Sequence, residues 1–61
     1  MGTRLLHLKE VLNRTSLSRS TIYRLMGLGT FPQSVALGTR ATWIESELES
    51  WLQERIAERA A

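Results

Sequence analysis

Sixty-one residues with a net charge of +2 make one small domain, near the lower limit at which a chain buries enough apolar surface to fold unaided. With no cysteine and a single histidine, His7, there are neither disulfide staples nor a thiolate or paired-imidazole metal site, so hydrophobic burial must carry the fold. No stretch approaches the roughly 20 apolar residues of a membrane span, and Met1 to Leu6 lacks the apolar run of a signal peptide, so the expectation is a soluble, cytoplasmic domain over residues 1–61.

The total charge conceals an asymmetry. Through Ile44, Arg4, Lys9, Arg14, Arg19, Arg24 and Arg40 stand against Glu10 alone, a local net of +5. Beyond it, Glu45, Glu47, Glu49, Glu54 and Glu58 outnumber Arg55 and Arg59, a net of −3. A basic front with an acidic back suits a protein that lays one face on phosphates and keeps the other in solvent, although scattered surface charge would also read this way.

After an extended lead through Leu5 and Leu6, the segment Leu8 to Arg14 places Leu8, Val11 and Leu12 on one helical face. His7 is a weak cap for this first helix, and Glu10 sits where a capping-box carboxylate reaches back to a free N–H. Thr15-Ser16-Leu17 breaks the pattern. Ser18 then caps a second helix, with Ile22, Leu25 and Met26 on one side and Leu17 packing before the cap like a staple. Arg19, Ser20, Tyr23 and Arg24 form the opposite face. Gly27 and Gly29 end this helix by tolerating positive φ, and Phe31-Pro32 forbids its continuation.

Two short runs, Ser34 to Leu37 and Arg40 to Trp43, flank Gly38-Thr39, a glycine-first pair that signals a type II′ hairpin and hence a two-stranded wing. The last segment, Glu45 to about Arg59, repeats apolar residues at Leu48, Trp51, Leu52 and Ile56. Its opening glutamates and its closing Arg55 and Arg59 both complement the helix dipole. Ile44 is a poor cap, which leaves the start of this helix undefined. Trp43 and Trp51 read as core anchors, because large rings dominate the apolar area of small cores.

Catalysis has no visible machinery. An enzyme needs a nucleophile with a base, or an acid–base pair, in a concave site. His7 has no cysteine to activate, the chain holds no aspartate, and its glycines form no phosphate-cradling loop. We therefore expect no enzyme activity, no cofactor, no metal and no small-molecule ligand.

Two short helices joined by a tight turn make a helix-turn-helix, whose second helix enters the major groove with its N-terminal residues toward the bases. Arg19 and Arg24 can donate bidentately to guanine or clamp phosphate, Ser20 and Thr21 can donate to either, and Tyr23 offers a ring edge and a hydroxyl. Lys9 and Arg14 lie on the first helix, which crosses the DNA backbone in such motifs; phosphate contact and a plain surface role are both open. Arg40 follows the wing turn, within reach of a minor groove or a flanking phosphate.

Leu5 to Val11, Leu17 to Arg24, Phe31-Pro32, Leu37 to Arg40, Trp43 and Glu47 to Leu52 together resemble the AlpA family of prophage regulators. The Ser-Arg-Ser-Thr-Ile-Tyr-Arg run is the more specific part, and the Glu-Leu-x-x-Trp-Leu ending is shared with excisionases, terminase small subunits and MerR-like domains. The resemblance implies a winged helix-turn-helix that binds DNA upstream of phage or excision genes, with Arg19, Ser20, Tyr23 and Arg24 on the recognition helix and Arg40 on the wing. Two departures stand out. Ser16 occupies a position where the family has glycine, and Arg40 to Trp43 is one residue shorter than usual.

The sequence thus predicts a mainly α winged helix-turn-helix of three helices and a two-stranded hairpin, acting as a sequence-specific regulator on double-stranded DNA. Its rivals are an excisionase-like factor that bends DNA and a protein-binding adaptor of the packaging kind. A module this small also calls for dimerisation or cooperative assembly on DNA.

Overall fold

The computed structural model describes residues 4–60. The reading of Met1 to Thr3 as part of a short lead falls outside them. Its elements run β1 (Leu5–His7), α1 (Leu8–Thr15), α2 (Arg19–Gly27), β2 (Val35–Leu37), β3 (Arg40–Ile44) and α3 (Glu45–Ala60). This is a winged helix-turn-helix, and the three helices fall where apolar spacing puts them.

The sheet departs from expectation in having three strands rather than two, in the order β1-β3-β2. Leu5, Leu6 and His7 pair antiparallel with Ile44, Trp43 and Thr42, so the lead segment is the second edge of the wing sheet. Burying Leu6 against Trp43 makes this pairing worthwhile, since both side chains are shut off from solvent. On the other edge Leu37 pairs with Arg40 across the two-residue turn. Positive φ occurs at Gly38 (62°) and not at Thr39, the pattern of the expected II′ turn.

Each helix end is satisfied by a different device. At α1 the Glu10 carboxylate accepts from the His7 N–H at 3.2 Å, half of a capping box. At α2 the Ser18 hydroxyl accepts from the Thr21 N–H at 3.3 Å. α2 closes with Gly29 N–H donating to the Met26 carbonyl (3.0 Å) and Thr30 N–H to that of Leu25 (3.0 Å). That pair of bonds needs a left-handed residue between them, and Gly29 supplies it with φ 75°. Gly27, expected to share this role, is instead the last helical residue. At the start of α3 the Glu45 N–H donates to the Arg4 carbonyl at 2.9 Å, so the backbone beside β1 satisfies one of its free N–H groups and the helix starts directly after Ile44.

The core is Leu6, Val11, Ile22, Phe31, Trp43 and Leu48, one residue from nearly every element. Phe31, which the sequence offers only as part of a helix stop, is among them. Trp43 is 0% exposed and is the largest fully buried side chain, so it is the central anchor. Trp51 sits at the margin, half-buried, with its indole N–H donating to the Thr30 carbonyl at 2.6 Å and its ring edge-on to Phe31 at 4.8 Å. Ile56 corrects the sequence reading of α3: it is 58% exposed, because the last turns of the helix run past the end of the core.

Candidate nucleic-acid interface

The angle between α1 and α2 is set by three residues, Ser16 to Ser18. Ser16 takes the left-handed conformation, φ 60° and ψ 20°, and its N–H donates to the Leu12 carbonyl at 2.8 Å. A non-glycine residue there is strained by about 1 kcal/mol, which that bond helps to offset. Thr15 reinforces the corner, its hydroxyl donating to the Val11 carbonyl at 2.8 Å and accepting from the Leu17 N–H at 3.3 Å. The chain then enters α2 with Ile22 buried and Arg19, Ser20, Tyr23 and Arg24 exposed. The face expected to be outward is outward, and α3 does not cover it.

Thr21 differs from its neighbours. It is half-buried, and its hydroxyl lies 2.9 Å from the Ser18 hydroxyl, so it belongs to the capping cluster. Ser20 joins that cluster more loosely, 3.3 Å from Ser18 Oγ, and remains exposed. Tyr23 is 44% exposed, and its ring meets that of Trp43 edge-on, with centroids 6.4 Å apart. An edge contact to a buried core ring supports one side of the phenol while leaving part of it in solvent.

The cations divide into two groups. Arg14 lies between Glu45 and Glu49, at 2.9 Å from each, and Arg4 bridges Glu10 (3.8 Å) and Glu45 (3.7 Å). Arg55 pairs with Glu58 at 2.8 Å and lies 5.4 Å from the centre of the Trp51 ring. By contrast Lys9, Arg19, Arg24 and Arg40 form no ion pair among the described residues, and neither does Arg59 at the far end of α3. All four of the former are exposed. The acidic helix therefore neutralises the arginines of the α1–α3 side and leaves the charge of the α2–wing side unbalanced. Sequence reasoning missed the engagement of Arg14 because its partners lie more than thirty residues away, beyond any local pattern.

Two clefts flank this arrangement. The smaller, about 290 Å³, is lined by His7, Leu8 and Lys9 at the start of α1, Tyr23 of α2, and Arg40 and Ala41 of β3. It contains no carboxylate. The larger, about 760 Å³, runs between the loop after α2 and α3, with Phe31 and Trp51 in its lining and Glu47 and Glu54 beside them. Arg55 lines it as well, but the two carboxylates leave it net negative, so it is a poorer seat for phosphate than the smaller cleft. Among the described residues no cluster of His, Cys, Asp or Glu could hold a metal ion, and no helix is long and apolar enough to cross a membrane.

Residues 4–56 match the family model described as prophage CP4-57 regulatory protein (AlpA). The chain belongs to the AlpA family. The matched span reaches from Arg4 to Ile56, so it takes in the helix-turn-helix, the wing and most of α3. One relative, the uncharacterised protein ORF88 of Enterobacteria phage P4, is 46% identical over 57 residues, covering 92% of this chain and 65% of its own. The chain thus spans about two thirds of that relative's length. A second, the DNA-binding transcriptional activator AlpA of Escherichia coli K12, is 36% identical over 61 residues, covering 88% of this chain and 87% of its own. No solved structure matches the chain.

Proposed function

We propose that this AlpA-family chain is a sequence-specific, double-stranded-DNA-binding transcriptional regulator. α2 enters the major groove, presenting Arg19, Ser20, Tyr23 and Arg24 to base edges and adjacent phosphates, while Lys9 and Arg40 hold the flanking backbone. The observation that carries this reading is the division of the cations: those on α2, the start of α1 and the wing lack partners, and those facing α3 are paired. Exposed cations with no carboxylate partner are free to pair with phosphates, and a polyanion that binds them gains by releasing its counterions. The E. coli relative bears the name of a DNA-binding transcriptional activator, which agrees.

Of the residue types expected to touch DNA, Arg14 and Thr21 are the two we set aside, because each is engaged within the protein. A single module offers little contact area, so tight binding calls for a second copy on a neighbouring half-site. Selection of bound duplexes from a random pool tests the reading. A recovered motif a few base pairs long, alone or as a spaced repeat, supports it; a pool that stays random through successive rounds contradicts sequence-specific recognition.

A further inference from the structure

The small cleft at the base of the wing is built from three elements that are distant in sequence. Lys9 comes from the first turn of α1, Tyr23 from the middle of α2, and Arg40 from the first position of β3. β1 ends at His7, so Arg40 and Ala41 extend beyond the pairing between β1 and β3, which starts at Thr42, and the gap opens there. Two exposed cations and a phenol converge on one opening that no carboxylate lines. The nearest acidic group in sequence, Glu10, does not line the cleft and is already engaged: it accepts from the His7 N–H and pairs with Arg4.

We propose that this cleft is the seat of one backbone phosphodiester, gripped jointly by Lys9, Tyr23 and Arg40. The proposal rests on the DNA-binding reading and assigns the wing a definite task, which is to close on the phosphate that α1 also holds rather than to probe a minor groove. The chemistry fits the ligand. A phosphodiester carries one negative charge on two free oxygens; a guanidinium can take both in parallel, while an ammonium and a phenol each add a single donor from other directions. The depression is wide open to solvent, so a phosphate on the surface of a duplex can reach it without the protein opening. Tyr23 is held against Trp43, so its phenol is positioned before the ligand arrives. Free phosphate presents the same oxygens, and the experiment separates the two sources.

The test uses duplexes recovered by selection, each carrying one neutral methylphosphonate in place of a single phosphate, with affinity read by fluorescence anisotropy. At one position the substitution weakens binding of the native chain on the order of tenfold, the scale of a charge-assisted contact. In Lys9→Gln, Tyr23→Phe and Arg40→Gln the same substitution at that same position costs little further. Circular dichroism shows whether each variant is folded; all three replace exposed side chains. If Lys9→Gln and Arg40→Gln silence two different positions, or none, the shared seat is overturned. A parallel titration of the free chain with inorganic phosphate follows the amide resonances of Leu8, Lys9 and Ala41. Saturable shifts there, in a chain that binds no duplex, would overturn the phosphodiester assignment and the DNA reading while leaving a free-anion site. Duplex binding with no common position would overturn the seat alone.

Discussion

Tyr23 meets Trp43 edge to face, with ring centroids 6.4 Å apart and planes at 64°, so one exposed residue of the outward face of α2 rests directly on the buried centre of the molecule. This exposed face and the core are therefore not independent. A change at Trp43 will be felt at Tyr23, whereas a change to the outer edge of Tyr23 leaves the core filled.

This relationship separates the two tryptophans. Trp43→Ala removes a completely buried side chain and is expected to cost about 3 to 5 kcal/mol, comparable to the whole stability of so small a domain. Trp51→Phe keeps an aromatic ring against Phe31 and loses mainly the bond to the Thr30 carbonyl, for about 1 kcal/mol. Urea denaturation followed by circular dichroism checks both. A folded Trp43→Ala chain with near-native stability would show that the core lies elsewhere.

Ser16 is a site where a single substitution is expected to stabilise. Its left-handed backbone costs a serine more than a glycine, so Ser16→Gly should raise stability slightly, by about 0.5 kcal/mol, after the added freedom of the unfolded glycine is subtracted. Ser16→Val should lower it, since β-branching makes positive φ worse. A lower melting temperature for Ser16→Gly than for the native chain contradicts the strained turn.

The two classes of cation predict two classes of phenotype. Arg14→Gln breaks the contacts to Glu45 and Glu49 and should cost roughly 0.5 to 1 kcal/mol of stability without altering how duplex affinity depends on salt. Lys9→Gln should leave stability nearly unchanged and reduce the magnitude of the salt slope by about 1. Equal salt dependence in both variants would mean that ion pairing does not decide which cations reach DNA.

Arg19→Ala and Arg24→Ala bear on sequence preference. An arginine that reads guanine should cost about 1 to 3 kcal/mol at a selected site when removed, and should relax the preference at one position of the recovered motif. An arginine that touches only phosphate should weaken all sequences alike. If the motif is unchanged in both variants, base reading belongs to other residues of α2.

Local signals made the three helices legible. Leu8, Val11 and Leu12 marked α1, Ser18 announced α2, and the glycine-first turn placed the hairpin. The third strand was hidden because three residues are too few to show an alternating pattern, and what makes Leu5–His7 a strand is its pairing with residues more than thirty positions away. Phe31 was hidden for a related reason: it sits in a loop and is buried by elements on either side. Ile56 erred in the other direction, continuing a helical stripe past the point where the core ends. At the site, helical spacing alone identified the outward face of α2, whereas the engagement of Arg14 and the convergence of Lys9, Tyr23 and Arg40 on one cleft depend on the tertiary fold.

The salt dependence of duplex binding tests the central claim most directly. Lys9, Arg19, Arg24 and Arg40, which form no ion pair among the described residues, predict that log affinity falls with log salt at a slope of roughly −3 to −4 for one bound copy. A slope near zero, measured on a folded chain, would show that this face does not meet the phosphate backbone and would remove the basis of the proposed function.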